Sequence, residues 1–209
     1  MPLLETSLTA LFVWAILGYL FGSIPFGVII SKAMGLGNLR EIGSGNIGAT
    51  NVLRTGNKSA AAATLLLDAG KGALAVLIVR ALAAEDAVQV AALAAFLGHC
   101  LPVWLGFKGG KGVATFLGIL LALNIWLGLA ACATWLVVAL IMRLSSMAAL
   151  MAAGMSPMWA MLLQYGQDLG LVVNNPSVRK PLVQAVLGIV RANAKAQEIS
   201  DEEARDWFG

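Results

Sequence analysis

Charge is what this 209-residue chain has least of. Asp, Glu, Lys and Arg together make up 12% of it, about half of the quarter that soluble domains carry. Set against 59% hydrophobic residues and a mean hydropathy of +0.84, that scarcity excludes an ordinary soluble domain and points to a polytopic membrane protein. The net charge of +3 is too small and too dispersed for a nucleic-acid partner. Histidine occurs once, as His99, and cysteine twice, as Cys100 and Cys132. Both cysteines stand in apolar runs without CxxC spacing, so they read as small core residues, and no disulfide, protein-bound metal or other cofactor is expected. A Walker A loop is also missing, because Gly112 follows Lys111 where GxxxxGK[ST] needs a hydroxyl. A nucleoside triphosphatase is therefore disfavoured.

What the chain does have is long apolar runs. Residues 8–30 are almost wholly apolar, long enough for a hydrocarbon core of roughly 30 Å. They lack the basic start of a signal peptide and run on through GSIPFG at 22–27, so they read as a retained span loosened at its inner end by Pro25 and the glycines. Further spans are expected over 59–79 and 87–105, over two short helices within 113–142 that turn at Asn124, and over 146–163 with Pro157 as a kink. The expected architecture is all-α, a membrane helix bundle of six spans that includes short helices. Residues 1–165 form the bundle and 166–209 a polar, amphipathic tail. Within the tail, 178–197 reads as a helix lying in the membrane interface, since Asn174, Asn175, Arg179 and Lys180 deny a further crossing.

Two polar stretches interrupt the apolar pattern. The first, REIGSGNIGATNVLR at 40–54, holds Gly43, Gly45 and Gly48, the hydroxyls of Ser44 and Thr50, the amides of Asn46 and Asn51, and Arg40 and Arg54. Glycines let successive N–H groups converge on one point, and flanking arginines add charge-assisted hydrogen bonds, so the stretch suits a phosphate. The second, GFKGGKG at 106–112, places Lys108 and Lys111 among Gly109, Gly110 and Gly112 just before an apolar helix. A helix start offers free N–H groups and a positive dipole end to an anion. Lys32, Arg40, Arg54, Lys58, Lys108, Lys111 and Arg143 fall on one face, and Glu85 and Asp86 on the other. The positive-inside rule then puts the N-terminus outside and both glycine loops in the cytoplasm. Asp68 and Lys71, three residues apart on one helix face inside a span, read equally as a structural ion pair or a substrate contact.

Three segments in order, GSIPFG at 22–27, IGSGNIGATNVLR at 42–54 and GHCLPVWLGFKGGKGVAT at 98–115, resemble the bacterial acyl-phosphate:glycerol-3-phosphate acyltransferase family (PlsY). The resemblance covers residues of about 8–150. It implies a seven-span enzyme of the bacterial inner membrane that needs no metal. Such an enzyme moves a fatty acyl group from acyl phosphate to the 1-hydroxyl of glycerol 3-phosphate, giving lysophosphatidate and phosphate. The other glycerol-phosphate acyltransferases use HxxxxD, and five places after His99 stands Trp104. The resemblance assigns catalytic roles to Ser44, Arg54 and Lys111, with Lys108 the second choice for the phosphate-loop lysine. Asn46, Thr50 and Asn51 would supply neutral hydrogen bonds. His99 is the runner-up for a general base beside a proton transfer to a substrate phosphate oxygen. The implied partners are the two substrates, the lipid bilayer and the enzyme that makes the acyl phosphate. The family ends with one more span and a basic RHRxNIxRL-type segment, which nothing after Gln164 matches. A second reading follows: a membrane protein that binds phosphorylated lipid or glycerol phosphate without catalysis.

Overall fold

A computed structural model describes residues 4–168 and Gln184, so the expected interfacial helix at 178–197 lies outside the described residues. By contacts the chain divides into two compact units, Met1–Trp159 and Ala160–Gly209. All described residues in regular structure are helical: α1 (Leu8–Gly22), α2 (Phe26–Ala33), α3 (Ala49–Leu53), α4 (Lys58–Leu82), α5 (Glu85–Cys100), α6 (Val113–Leu123), α7 (Ile125–Met142) and α8 (Ser145–Asp168), with 3-10 turns at Leu39–Glu41 and Val103–Leu105. Among the described residues, five stretches are long and apolar enough to cross a membrane: Leu8–Ala33, Lys58–Leu82, Glu85–Leu105, Ile125–Met142 and Ser145–Tyr165. The sixth expected span is α6, only 11 residues long, or about 16 Å at 1.5 Å per residue. The turn between α6 and α7 falls at Asn124 as expected, because its side-chain oxygen accepts from the N–H groups of Trp126 and Leu127 and caps α7. Leu66, Leu93, Leu140 and Ile141 point outward and are well exposed, a surface suited to lipid rather than water.

Two seams of small residues hold the bundle. Lipid tails are as apolar as leucine, so helices in a bilayer gain by close approach of their backbones, and small residues permit it. Where α1 crosses α5, a Cβ at Gly22 would collide with the backbone of Ala95, and one at Gly98 would sit 2.9 Å from the N of Ser23. Where α4 crosses α6, a Cβ at Gly72 would lie 2.7 Å from the carbonyl oxygen of Thr115. Polar groups fasten the ends of these seams. Asp86 at the start of α5 accepts hydrogen bonds from the N–H groups of Glu5 and Thr6 and from the Thr6 hydroxyl. At the end of α4, Arg80 donates to the carbonyls of Ala122 and Leu123, satisfying the C-terminal turn of α6.

The first span is interrupted. α1 stops at Gly22 and α2 begins at Phe26, with Pro25 at its N-cap. This is the loosening that GSIPFG foretells, and its cause is local: proline has no N–H to continue the ladder. α2 then runs under the first polar loop, where a Cβ at Gly27 would strike the carbonyl of Ile47.

The seams make a paired prediction. Gly22→Ala should destabilise the folded protein in detergent by about 1–3 kcal/mol through overpacking. Gly70→Ala, in α4 with nothing within 4 Å of the added carbon, should be neutral or slightly stabilising. Equal unfolding temperatures for the two variants would contradict the seam.

Candidate functional site

The first polar loop is built around one buried amide. Asn51, 2% exposed, donates from Nδ2 to the carbonyls of Leu39 (2.9 Å) and Asn46 (2.7 Å). Its Oδ1 accepts from the Ser44 N–H at 3.1 Å, and lies 3.4 Å from both the Ser44 hydroxyl and an Arg54 guanidinium nitrogen, which also donate to it. A side-chain amide has two donors and one acceptor oxygen, so Asn51 spends its whole capacity inside the loop. The chain can wrap around that amide because Gly43 and Gly45 take left-handed φ values of 53° and 67°. The Arg54 side chain lies across Gly43, whose missing Cβ would fall 2.5 Å from Arg54 Cδ. Ser44 and Arg54, ten residues apart in sequence, are thereby brought to one acceptor, and both are exposed. Gly48 caps the short α3, on which Thr50 is exposed.

The second loop is pinned to the end of α5. The N–H of Gly109 donates to the Cys100 carbonyl at 3.0 Å, and that of Gly110 to the His99 carbonyl at 3.1 Å. A tight turn at Gly106 and Phe107, both with positive φ (59° and 61°), returns the chain to that position. Gly112 is the N-cap of α6, again with a left-handed φ of 75°, and a Cβ there would meet the Phe96 ring and the Cys100 sulfur. Lys108 and Lys111 are both exposed.

Arg40 ties the two loops together. One guanidinium nitrogen donates to the Gly45 carbonyl at 3.2 Å and the other to the Lys108 carbonyl. The sequence marks Arg40 only as one of two arginines flanking the first loop. Its spacing gave no sign that it reaches a residue 68 positions away. Beside the loops opens a cleft of about 600 Å³ with apolar walls at Val28, Leu39, Ile47 and Leu105 and with Lys32 and Arg40 on its lining. Ser44, Arg54 and Lys111 do not line it.

His99, Asp68 and Lys71 lie buried, each at most 4% exposed. Lys71 Nζ is 2.9 Å from Asp68 Oδ1, 2.6 Å from the Ile24 carbonyl to which it donates, and 5.7 Å from the centre of the Phe26 ring. His99 Nδ1 stands 3.7 Å from Asp68 Oδ1, beyond hydrogen-bond length. The sequence left Asp68 and Lys71 divided between an ion pair and a substrate contact; the geometry favours the ion pair.

A protein-family model described as glycerol-3-phosphate acyltransferase matches residues 12–200 of the chain. The match runs beyond residue 150, where the resemblance read from the sequence ends, and takes in most of the stretch after Gln164 that shows no family segment to the eye. A glycerol-3-phosphate acyltransferase of Cereibacter sphaeroides is 63% identical over 175 residues, covering 83% of each chain. One of Ruegeria sp. is 68% identical over 163 residues, 78% of this chain and 81% of the relative. Among solved structures, PlsY, an integral membrane glycerol 3-phosphate acyltransferase in its glycerol 3-phosphate form, superposes with a TM-score of 0.66 at 36% identity over 91% of this chain and 92% of that one. Its lysophosphatidic acid form gives 0.63 at 34% identity, covering 91% of each chain.

The first loop rests on Asn51, which makes the isosteric Asn51→Asp a direct probe. It would set a carboxylate oxygen against the carbonyls of Leu39 and Asn46 and cost about 1–3 kcal/mol for each lost donor. Hydrogen exchange over residues 38–54 should accelerate while α1, α4 and α5 keep their protection. Unchanged exchange there would contradict the role of the amide.

Proposed function

The chain belongs to the glycerol-3-phosphate acyltransferase family and is a multi-pass membrane protein, and from that premise we propose that its acyl donor is an acyl phosphate and that the two linked glycine loops are where transfer occurs. The observation that carries the reading is the convergence of Ser44 and Arg54 on the Asn51 amide, in a loop that Arg40 joins to GFKGGKG. Each substrate carries a phosphoryl group, and so does each product, lysophosphatidate and inorganic phosphate. A site of exposed Arg54 and Lys111 beside glycine-rich backbone matches that charge. No side chain caps the start of α6, so its first-turn N–H groups remain for an external anion.

In this reading the glycerol 1-hydroxyl oxygen attacks the acyl carbon, a new C–O ester bond forms, and the C–O bond to phosphate breaks. Arg54 and Lys111 stabilise the negative charge that builds on the leaving phosphate, the kind of preorganised electrostatics that dominates acyl and phosphoryl chemistry. Ser44 orients a substrate oxygen, and Asn51 holds Ser44 and Arg54 in place from within the loop. The hydroxyl proton passes to a phosphate oxygen, which is basic enough that no protein base is required. His99, buried with its carbonyl spent on Gly110, serves better as a support than as a base. The apolar cleft with Lys32 and Arg40 suits an amphipathic anion, and an acyl phosphate is one. The alternative of phosphate binding without catalysis is not favoured, since identity above 60% to named acyltransferases spans most of the chain.

Ser44→Ala and Arg54→Ala should each lower acyl transfer from acyl phosphate by at least about 100-fold, the scale of losing one preorganised oxyanion donor, with helical content and unfolding temperature unchanged. Wild-type turnover in either would remove the assignment.

The same reading places the N-terminus outside and both loops on the cytoplasmic side of the bacterial inner membrane, by the distribution of Lys and Arg. Single cysteines introduced at Asn57 and Asp86 in a background without Cys100 and Cys132 should label from the inner and outer faces respectively. Outer labelling at position 57 would reverse the topology.

A further inference from the structure

The interruption of the first span creates a problem that the rest of the molecule has to solve. The carbonyls of Ser23 and Ile24 lose the helical partners that an unbroken helix would give them, and a carbonyl without a donor is costly inside a bilayer. The Ile24 carbonyl keeps one local donor, the Phe26 N–H at 3.1 Å, and each of the two carbonyls takes a side-chain donor from a distant part of the chain. Trp104 Nε1 donates to the Ser23 carbonyl at 2.9 Å, and Lys71 Nζ to the Ile24 carbonyl at 2.6 Å. These donors come from places that matter to the site. Trp104 lies in the 3-10 turn Val103–Leu105, directly before GFKGGKG. The same turn is held by Tyr19, whose hydroxyl donates to the Leu101 carbonyl and accepts the Val103 N–H. Lys71 is paired with Asp68, and the Asp68 backbone carbonyl accepts the hydroxyl of Thr115 at 2.9 Å, in the first turn of α6 just after the second loop.

We propose that Asp68, Lys71 and Trp104 are positioning residues for acyl transfer: they fasten the break in the first span to both ends of the second glycine loop and so fix where its lysines and the first-turn amides of α6 stand. This rests on the acyl-transfer reading above. Substrate contact is ruled out for the ion pair by its burial, at most 4% exposure for either side chain. Simple stabilisation does not account for it, because a buried ion pair is often no more stabilising than apolar residues of similar size. What apolar residues could not supply is the link from α4 to the break itself, a second and charged donor to the Ile24 carbonyl beside the Phe26 N–H. Trp104 is 55% exposed, so burial does not explain it either, and its indole N–H is spent on the Ser23 carbonyl.

The test uses the full chain in proteoliposomes. Asp68→Leu combined with Lys71→Met removes both charges together and should leave the unfolding temperature near that of the parent. Its KM for glycerol 3-phosphate should nevertheless rise about tenfold, the order expected when a binding loop shifts by a fraction of an ångström. Trp104→Phe keeps the ring and loses only the N–H. It should raise KM about threefold by the same effect. In both, hydrogen exchange over residues 106–112 should quicken while the α1–α5 seam stays protected. Parental KM and exchange in the double variant would overturn the proposal. If that variant does not accumulate, Trp104→Phe decides alone, and parental KM and exchange there would overturn it. Should the parent itself show no acyl transfer, the acyl-transfer reading is what fails, and exchange at 106–112 still decides the positioning role.

Discussion

A helix that stops inside a membrane must have its freed carbonyls met by some other part of the chain, and that constraint organises this molecule. The break after Gly22 turns α2 under the first polar loop, with Gly27 against the Ile47 carbonyl. The donors that satisfy the break, Lys71 and Trp104, come from α4 and from the turn before the second loop. One interruption thus brings four segments of the chain to a common depth. An unbroken first helix would give its carbonyls their own partners and leave Lys71 buried with only Asp68 to meet it.

Above this frame the two loops are built in different ways. The first closes on a side chain, Asn51, whose amide replaces the regular hydrogen bonds that a glycine-rich turn cannot make for itself. The second closes on backbone, with Gly109 and Gly110 bonded to the carbonyls that end α5. Arg40 joins them. The result leaves Ser44, Arg54, Lys108 and Lys111 exposed on loops that are themselves fastened, which is what preorganised charge stabilisation requires.

Much of this was legible in the sequence because bilayer physics writes in long, simple signals. The apolar runs, the turn at Asn124 and the loosening at Pro25 follow from hydropathy and from proline and asparagine chemistry. The glycine loops announce themselves by composition. The long-range hydrogen bonds were not legible. Arg40 to Lys108, Lys71 to Ile24 and Trp104 to Ser23 each join residues separated by 47 positions or more, and no local pattern encodes such a pairing. Asn51 illustrates the limit at close range. Its place in the motif marks it as a candidate ligand, whereas its burial and five hydrogen bonds make it the loop's own scaffold. The shortness of α6 was legible too, since Asn124 divides the thirty apolar residues from Val113 into two short helices.

The central claim, that the two fastened loops run acyl transfer from an acyl phosphate to glycerol 3-phosphate, is most directly tested by product stoichiometry. The purified full chain in proteoliposomes, given acyl phosphate and glycerol 3-phosphate, should release lysophosphatidate and inorganic phosphate one for one and should transfer nothing from an acyl thioester. Lysophosphatidate formed from the thioester and not from acyl phosphate would contradict the account.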